Sequence, residues 1–145
     1  MTAARSQILA AIVARLAGVS GMSADRVELM PSGDPDAFPA LGVHDHGQRN
    51  VDGEAGSTTY ELQVTVDGFV EGDGAREAIG ELYVGVVAAL VTEPPLDELA
   101  GGVSLIDEGD TRVDVAELAS TGRIAFATDF AIQFATPRGD PSRFA

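Results

Sequence analysis

Near the start of the chain, apolar positions return every three or four places. Ile8, Leu9, Ile12, Val13 and Leu16 recur with Gln7, Ala14 and Arg15 between them, the spacing of one buried helical stripe. The pattern predicts a helix over about residues 3–17, with Thr2 as N-cap and Gly18 and Gly21 as its stop. Arg26-Val27-Glu28-Leu29-Met30 alternates with period two and predicts a short strand. Pro31-Ser32-Gly33-Asp34-Pro35-Asp36 is a loop of breakers. Residues 39–45 predict a second short strand at a sheet edge, since Pro39 fits only at a strand's start. Residues 49–57 are polar and glycine-containing and predict a mobile loop.

The clearest alternation follows. Over 58–70, Tyr60, Leu62, Val64 and Val66 interleave with Glu61, Gln63, Thr65 and Asp67, the mark of a half-buried strand. Over 124–134, Ile124, Phe126, Thr128, Phe130, Ile132 and Phe134 share one face, and Ala125, Ala127, Asp129, Ala131 and Gln133 the other. Both runs exceed the usual ~5–6 residues, which predicts two central strands. Between them, Ile79, Leu82, Tyr83, Val86, Val87 and Leu90 predict a helix over about 75–91. Asp73 is its expected cap, Glu77 suits its N-terminal dipole, and Pro94-Pro95 ends it. Ser104-Leu105-Ile106 and Arg112-Val113-Asp114-Val115 read as strand pieces around an acidic turn, Asp107 to Asp110. The order α-β-β-β-α-β-β predicts an α+β fold, a mostly antiparallel sheet with two long central strands covered by two helices. One domain is expected over 1–145, with 136–145 as a C-terminal tail.

Composition narrows the chemistry without choosing a function. The 145 residues suffice for one self-sufficient core. Absence of cysteine excludes a disulfide scaffold, a cysteine–zinc site and a thiol nucleophile. All nine basic residues are arginine, which excludes a Schiff-base or P-loop lysine. Against them stand 23 acids, for a net charge of −14. Such a chain repels nucleic acid and anionic lipid unless its arginines cluster, and they are scattered. No segment approaches the ~20 apolar residues of a membrane span. The apolar run from Ile8 to Val13 is flanked by Arg5 and Arg15 at helical spacing, so a folded helix in a soluble protein is expected rather than a cleaved signal.

Few motifs carry chemistry. In His44-Asp45-His46, a strand would point both rings to one face, and Asp34, Asp36 or Glu54 could complete a metal set. Two solvated histidines at a strand end explain the same residues. Gly72-Asp73-Gly74 lacks the third glycine of a phosphate cradle and is ringed by Glu71, Asp73 and Glu77. No serine lies in a Gly-x-Ser-x-Gly elbow. Residues 67–117 hold 13 acids and 2 arginines, which is −11 of the net −14. They form either a solvated surface or a functional electronegative wall, with Glu71, Asp73, Asp107, Glu108 and Asp110 as candidate surface or channel residues.

Taken end to end, the layout resembles the tail terminator (tail completion) proteins of long-tailed bacteriophages, of the lambda minor tail U kind, with relatives in prophages and gene transfer agents. The resemblance rests on the opening Arg5-Ser6-Gln7-Ile8-Leu9-Ala10-Ala11, then Ala24-Asp25-Arg26-Val27 and Phe38-Pro39-Ala40-Leu41-Gly42-Val43. Tyr60-Glu61-Leu62-Gln63-Val64-Thr65-Val66-Asp67-Gly68 follows, and Phe130-Ala131-Ile132-Gln133-Phe134-Ala135-Thr136 runs into Gly139-Asp140-Pro141. It implies a structural virion protein rather than an enzyme, with no cofactor, metal or catalytic residue. Such a protein forms a homo-hexameric ring that caps the tail tube, stops its growth and offers a surface to the head. Its partners would be the tube protein and head–tail connector proteins. DNA would pass without specific binding, and no membrane is involved. The location implied is the head-proximal end of the virion tail, after assembly in the host cytoplasm. The alternatives are another small neck or head–tail connector protein, or a metal-dependent enzyme using His44, Asp45 and His46.

Overall fold

A computed structural model describes residues 2–118 and 121–145. Helix α1 (Ala4–Ala17) is followed by a 3-10 turn, Ala24–Arg26, and strands β1 (Val27–Leu29), β2 (Ala40–Glu54) and β3 (Ser57–Glu71). Helix α2 (Ala75–Leu90), a second 3-10 turn at Asp97–Leu99, and strands β4 (Val103–Leu118) and β5 (Thr121–Pro137) complete the chain. The fold is α+β: one five-stranded mixed sheet, ordered β1-β2-β3-β5-β4, and two helices. Among the described residues only the β1–β2 pair is parallel.

Periodicity explains the layers. Leu62, Val64, Val66 and Val70 of β3, and Ile124, Phe126, Phe130, Ile132 and Phe134 of β5, are buried on one face. Against them α1 brings Ile8, Leu9, Ile12 and Leu16, and α2 brings Leu82, Val86 and Leu90. Each such side chain contributes about 1.5–3 kcal/mol on burial, and together they form one core on the helix face of the sheet. Arg15 ties the helical layer together, donating to Glu98, Asp97, Thr92 and the Ala89 carbonyl.

Helix ends depart from expectation. Thr2 does not cap α1; Ala3 holds that position without a side-chain bond, and the Ala4 N–H donates to the Pro141 carbonyl at 2.8 Å. The C-terminal tail thus satisfies one of the orphan donors of the first turn. It also seats Phe144 edge-on against Phe134, with ring centroids 6.3 Å apart. At α2 the cap position belongs to Gly74 in the left-handed region, φ +78°, rather than to Asp73. An exposed loop turning into a helix needs that backbone conformation more than a side-chain acceptor.

Three further expectations are corrected. The stretch 49–57 is no loop: β2 and β3 continue as a hairpin to the pair Glu54–Ser57, turning on Ala55-Gly56 with Gly56 at φ +91°. Its residues are polar because the helices do not cover the hairpin's tip, and Asp52, Gly53 and Glu54 are exposed. Residues 39–45 lie at the sheet edge only from His44 on, where β2 pairs with β3 alone. Ala40 opens β2, and Leu41–Val43 pair with β1 on one side and β3 on the other. Asp107 to Asp110 is not a turn between strand pieces but lies within the single strand β4. A register shift between Glu108 and Thr111 absorbs the extra residues, as a bulge does.

Candidate functional site

Opposite the helices, the sheet presents a face whose one end is met by the loop 31–37, with Pro31 over Gly42 and Asp34 on Arg123, and the polar side chains gather on it. Cross-strand register decides which ones meet. His44 stands level with Thr65, and Thr65 with Asp129; one rung on, Gly42, Asp67, Ala127 and Arg112 follow each other across four strands. His46 Nε2 lies 2.8 Å from Thr65 Oγ1, and Thr65 Oγ1 donates to Asp129 Oδ1 at 2.7 Å. Arg112 grips the same carboxylate with two N–H groups, at 2.9 and 3.0 Å. That ion pair, with Thr65 assisting and burial opposing, pulls the Asp129 pKa down to about 2. His44 Nε2 lies 2.6 Å from Asp67 Oδ2, at ion-pair distance but outside hydrogen-bond alignment.

The His-x-His spacing does what a strand requires. The two rings lie on one face, stacked with centroids 6.5 Å apart and planes 14° from parallel. Asp45 between them turns to the helix face, where Arg5 of α1 reaches both its oxygens at 2.5 and 2.6 Å and Gln48 at 3.0 Å. Burial works against the Asp45 charge, but Arg5 and the Gly47 N–H outweigh it and hold its pKa below the ordinary carboxylate value. The other candidate ligands are elsewhere: Asp34 pairs with Arg123, Asp36 lines a cleft with Asp25 and Glu28, and Glu54 is at the hairpin turn. Among the described residues, no three His, Asp or Glu side chains are placed to share a metal ion.

The acidic candidates do not form one wall. Glu71 ends β3 and pairs with Arg123 of β5 at 3.6 Å, and Asp73 follows in the exposed turn. Asp107 and Glu108 are level with Ala131 and Phe130, eight and seven residues along β5 from Arg123, or more than ~20 Å at 3.3 Å per residue. They also point to opposite faces. Phe130 is buried beneath the helices, so Glu108 shares its side and accepts a hydrogen bond from Tyr83 of α2. Asp107 shares the open face with Ala131. Asp110 lies at the bulge of β4 and is exposed.

Clefts on the described surface are shallow. One of about 400 Å³ runs over Asp67, Phe69, Arg112 and Asp114, and another of about 380 Å³ lies between α2 and Phe38. Sequence reasoning singled out the histidines but missed Thr65, Asp67 and Arg112 as their surroundings. Alternation placed Thr65 and Asp67 on a polar face; only the pairing register shows which residues across the sheet they meet.

No protein-family model matches the chain, and no curated protein matches it in sequence. A solved structure does match. A chain of the "Virion of native gene transfer agent (GTA) particle" aligns with a TM-score of 0.50 at 16% identity, covering 90% of this chain and 92% of that one. At that identity the match shows a shared fold.

Proposed function

We propose that this chain is a structural virion protein of the tail terminator kind: a ring, of six copies, that caps the tail tube, stops its growth and gives the head its docking surface. One observation carries the reading, the end-to-end fold match to a chain of a gene transfer agent virion. The sequence elements cited above for terminators fall along that same length. The site chemistry supports it from the other side. The open face is an ion-paired surface, where Arg112 holds Asp129 and Arg123 holds Glu71 and Asp34. Asp67 and Asp107 stand on that face, and with Arg112 and Arg123 so engaged a passing duplex would meet an electronegative surface rather than cations free to hold phosphates. The head-proximal end of the tail, the tube protein and the connector proteins follow as location and partners.

The test is polymerisation of a tail-tube protein with and without this chain. Added protein should arrest growth, and electron microscopy with a labelled chain should find it at one tube end as a ring. Tubes of unchanged length with unlabelled ends would overturn the reading. Binding to head connectors but not to tubes would replace it with a neck protein.

A further inference from the structure

Seven large apolar side chains are exposed among the described residues, and five of them lie on the two outer edges of the sheet. Leu29 and Met30, 46% and 55% exposed, stand at the β1 edge; Leu105, Val113 and Val115, 43%, 63% and 54%, stand on β4. Both edges also carry unpaired backbone. Among the described residues β4 pairs only with β5, and beyond Val43 β2 pairs only with β3. An edge strand with apolar neighbours is a template for another strand.

Resting on the ring reading above, we propose the joint itself: the β4 edge of one copy docks on the β1–β2 edge of the next, so that subunits meet head to tail through their sheets. Strand direction fits. β4 opposes β5, β5 opposes β3, β3 opposes β2, and β1 runs with β2. A copy related by rotation therefore presents β1 and β2 antiparallel to β4. Height fits as well. One ladder, Val27–Leu41–Gly68–Phe126–Val113, crosses all five strands, and so does the next one on the same face, Leu29–Val43–Val66–Thr128–Thr111, so the exposed Leu29 stands level with Thr111, two residues from Val113.

Charge chooses the partner edge. The ladder with Glu28 at one end has Arg112 at the other. Asp107 and Glu108 stand level with the middle of β2, where Arg5 neutralises Asp45 and the Arg49 side chain is 67% exposed. Pairing β4 with a second β4 would instead set Asp107, Glu108 and Asp110 near their own copies, and like charges directly opposite destabilise a sheet. A heterologous contact of this kind is the type that closes into rings.

The chain has no cysteine, so Leu29→Cys with Thr111→Cys, the two ends of one ladder, is a clean reporter in one chain. Four strand spacings, about 19 Å, separate the two edges, beyond the ~7 Å Cα limit of a disulfide. Any bridge must therefore join different copies. Mild oxidation should give a ladder of multiples ending at the closed ring, and each single variant should stay unlinked. Dimers from Thr111→Cys alone would mean β4–β4 pairing and overturn the proposal. Wild-type rings in the microscope with no ladder from the double variant overturn the joint and leave the ring reading standing. A chain that stays monomeric and gives no ladder overturns both. Val113→Glu/Val115→Glu, on side chains already more than half exposed, should keep its melting temperature within a few degrees and associate at least ten-fold more weakly. Unchanged association would overturn the joint.

Discussion

Arg112 and Asp129 face each other across the β4–β5 seam as a two-pronged pair, Nη1 to Oδ2 at 2.9 Å and Nη2 to Oδ1 at 3.0 Å. The folded carboxyl titrates near 2, below its unfolded value of about 3.9. Its contribution is therefore fully present above pH ~4 and is lost as pH falls toward 2. With Asp129 44% exposed, solvent screening limits that contribution to about 1 kcal/mol or less. Asp129→Asn should flatten the acid limb of a stability-against-pH curve between 4 and 2, and Asp129→Ala should cost under about 1 kcal/mol at pH 7. Phe130, its neighbour in the chain, is 2% exposed on the opposite face. Phe130→Asp removes a core ring and buries a charge, a loss of more than ~5 kcal/mol. Circular dichroism should show that variant unfolded.

Gly68 has a packing role that a strand interior rarely assigns to glycine. It stands opposite Phe126, and a Cβ there would come 2.1 Å from Phe126 Cε1. The ring occupies the space over Gly68 and meets Tyr83 of α2 at right angles, with centroids 5.8 Å apart. Gly68→Ala must displace that ring and should cost about 1–3 kcal/mol. Adding Phe126→Leu, which vacates part of the space, should lower the melting temperature less than the two single losses summed. Strict additivity would show that the glycine and the ring do not share one space.

The histidines occupy the open face without a third ligand. His46 bonds Thr65, His44 lies beside Asp67, and Asp45 is turned to Arg5 on the other side. His44→Ala/His46→Ala should therefore cost about 1 kcal/mol, leave assembly mass unchanged, and remove no metal response. Stoichiometric zinc in the stripped and reloaded wild type, with a matching rise in melting temperature, is the contrary result.

The elements whose side chains meet the core were legible in the sequence, because burial imposes a period. β3 and β5 announce themselves through Leu62, Val64 and Val66 and through Phe126, Phe130 and Phe134, all of which the structure buries. The hairpin extension beyond Arg49 was not legible. Outside the helical layer neither strand face is buried, so backbone pairing carries Asp52–Thr59 and Gly53–Thr58 with no apolar alternation to mark them. The Asp107 to Asp110 stretch reads as a turn by composition, yet β5 offers a long partner and a bulge accommodates it. The Arg112–Asp129–Thr65–His46 chain depends on three cross-strand meetings, which a single sequence does not state. His44 and His46 sharing a face follows from strand period alone, and Asp45 facing away follows from it equally.

Charge sets the last expectation. Six copies at −14 each make a ring at −84, and repulsion between subunit centres opposes closure. At 0.01 M salt the Debye length is about 30 Å, long enough for that repulsion to act across neighbouring subunits. Near 0.15 M it falls to about 8 Å, which removes most of the long-range term. Contact pairs across a seam, at roughly 3–4 Å, lie inside the Debye length and are weakened less. Leu29, Met30, Val113 and Val115 provide apolar contact that salt does not screen. Raising salt from very low to physiological levels should therefore shift light-scattering mass from single chains toward the ring. Duplex DNA should show no binding at any point of the series, because Arg5, Arg15, Arg49, Arg112, Arg123 and Arg143 are engaged with acids and the arginines are scattered over helices, sheet and tail. A ring that falls apart as salt rises would mean that acid–arginine pairs across the seam hold it closed. The reading of Asp67 and Asp107 as an electronegative surface toward passing DNA would then be wrong.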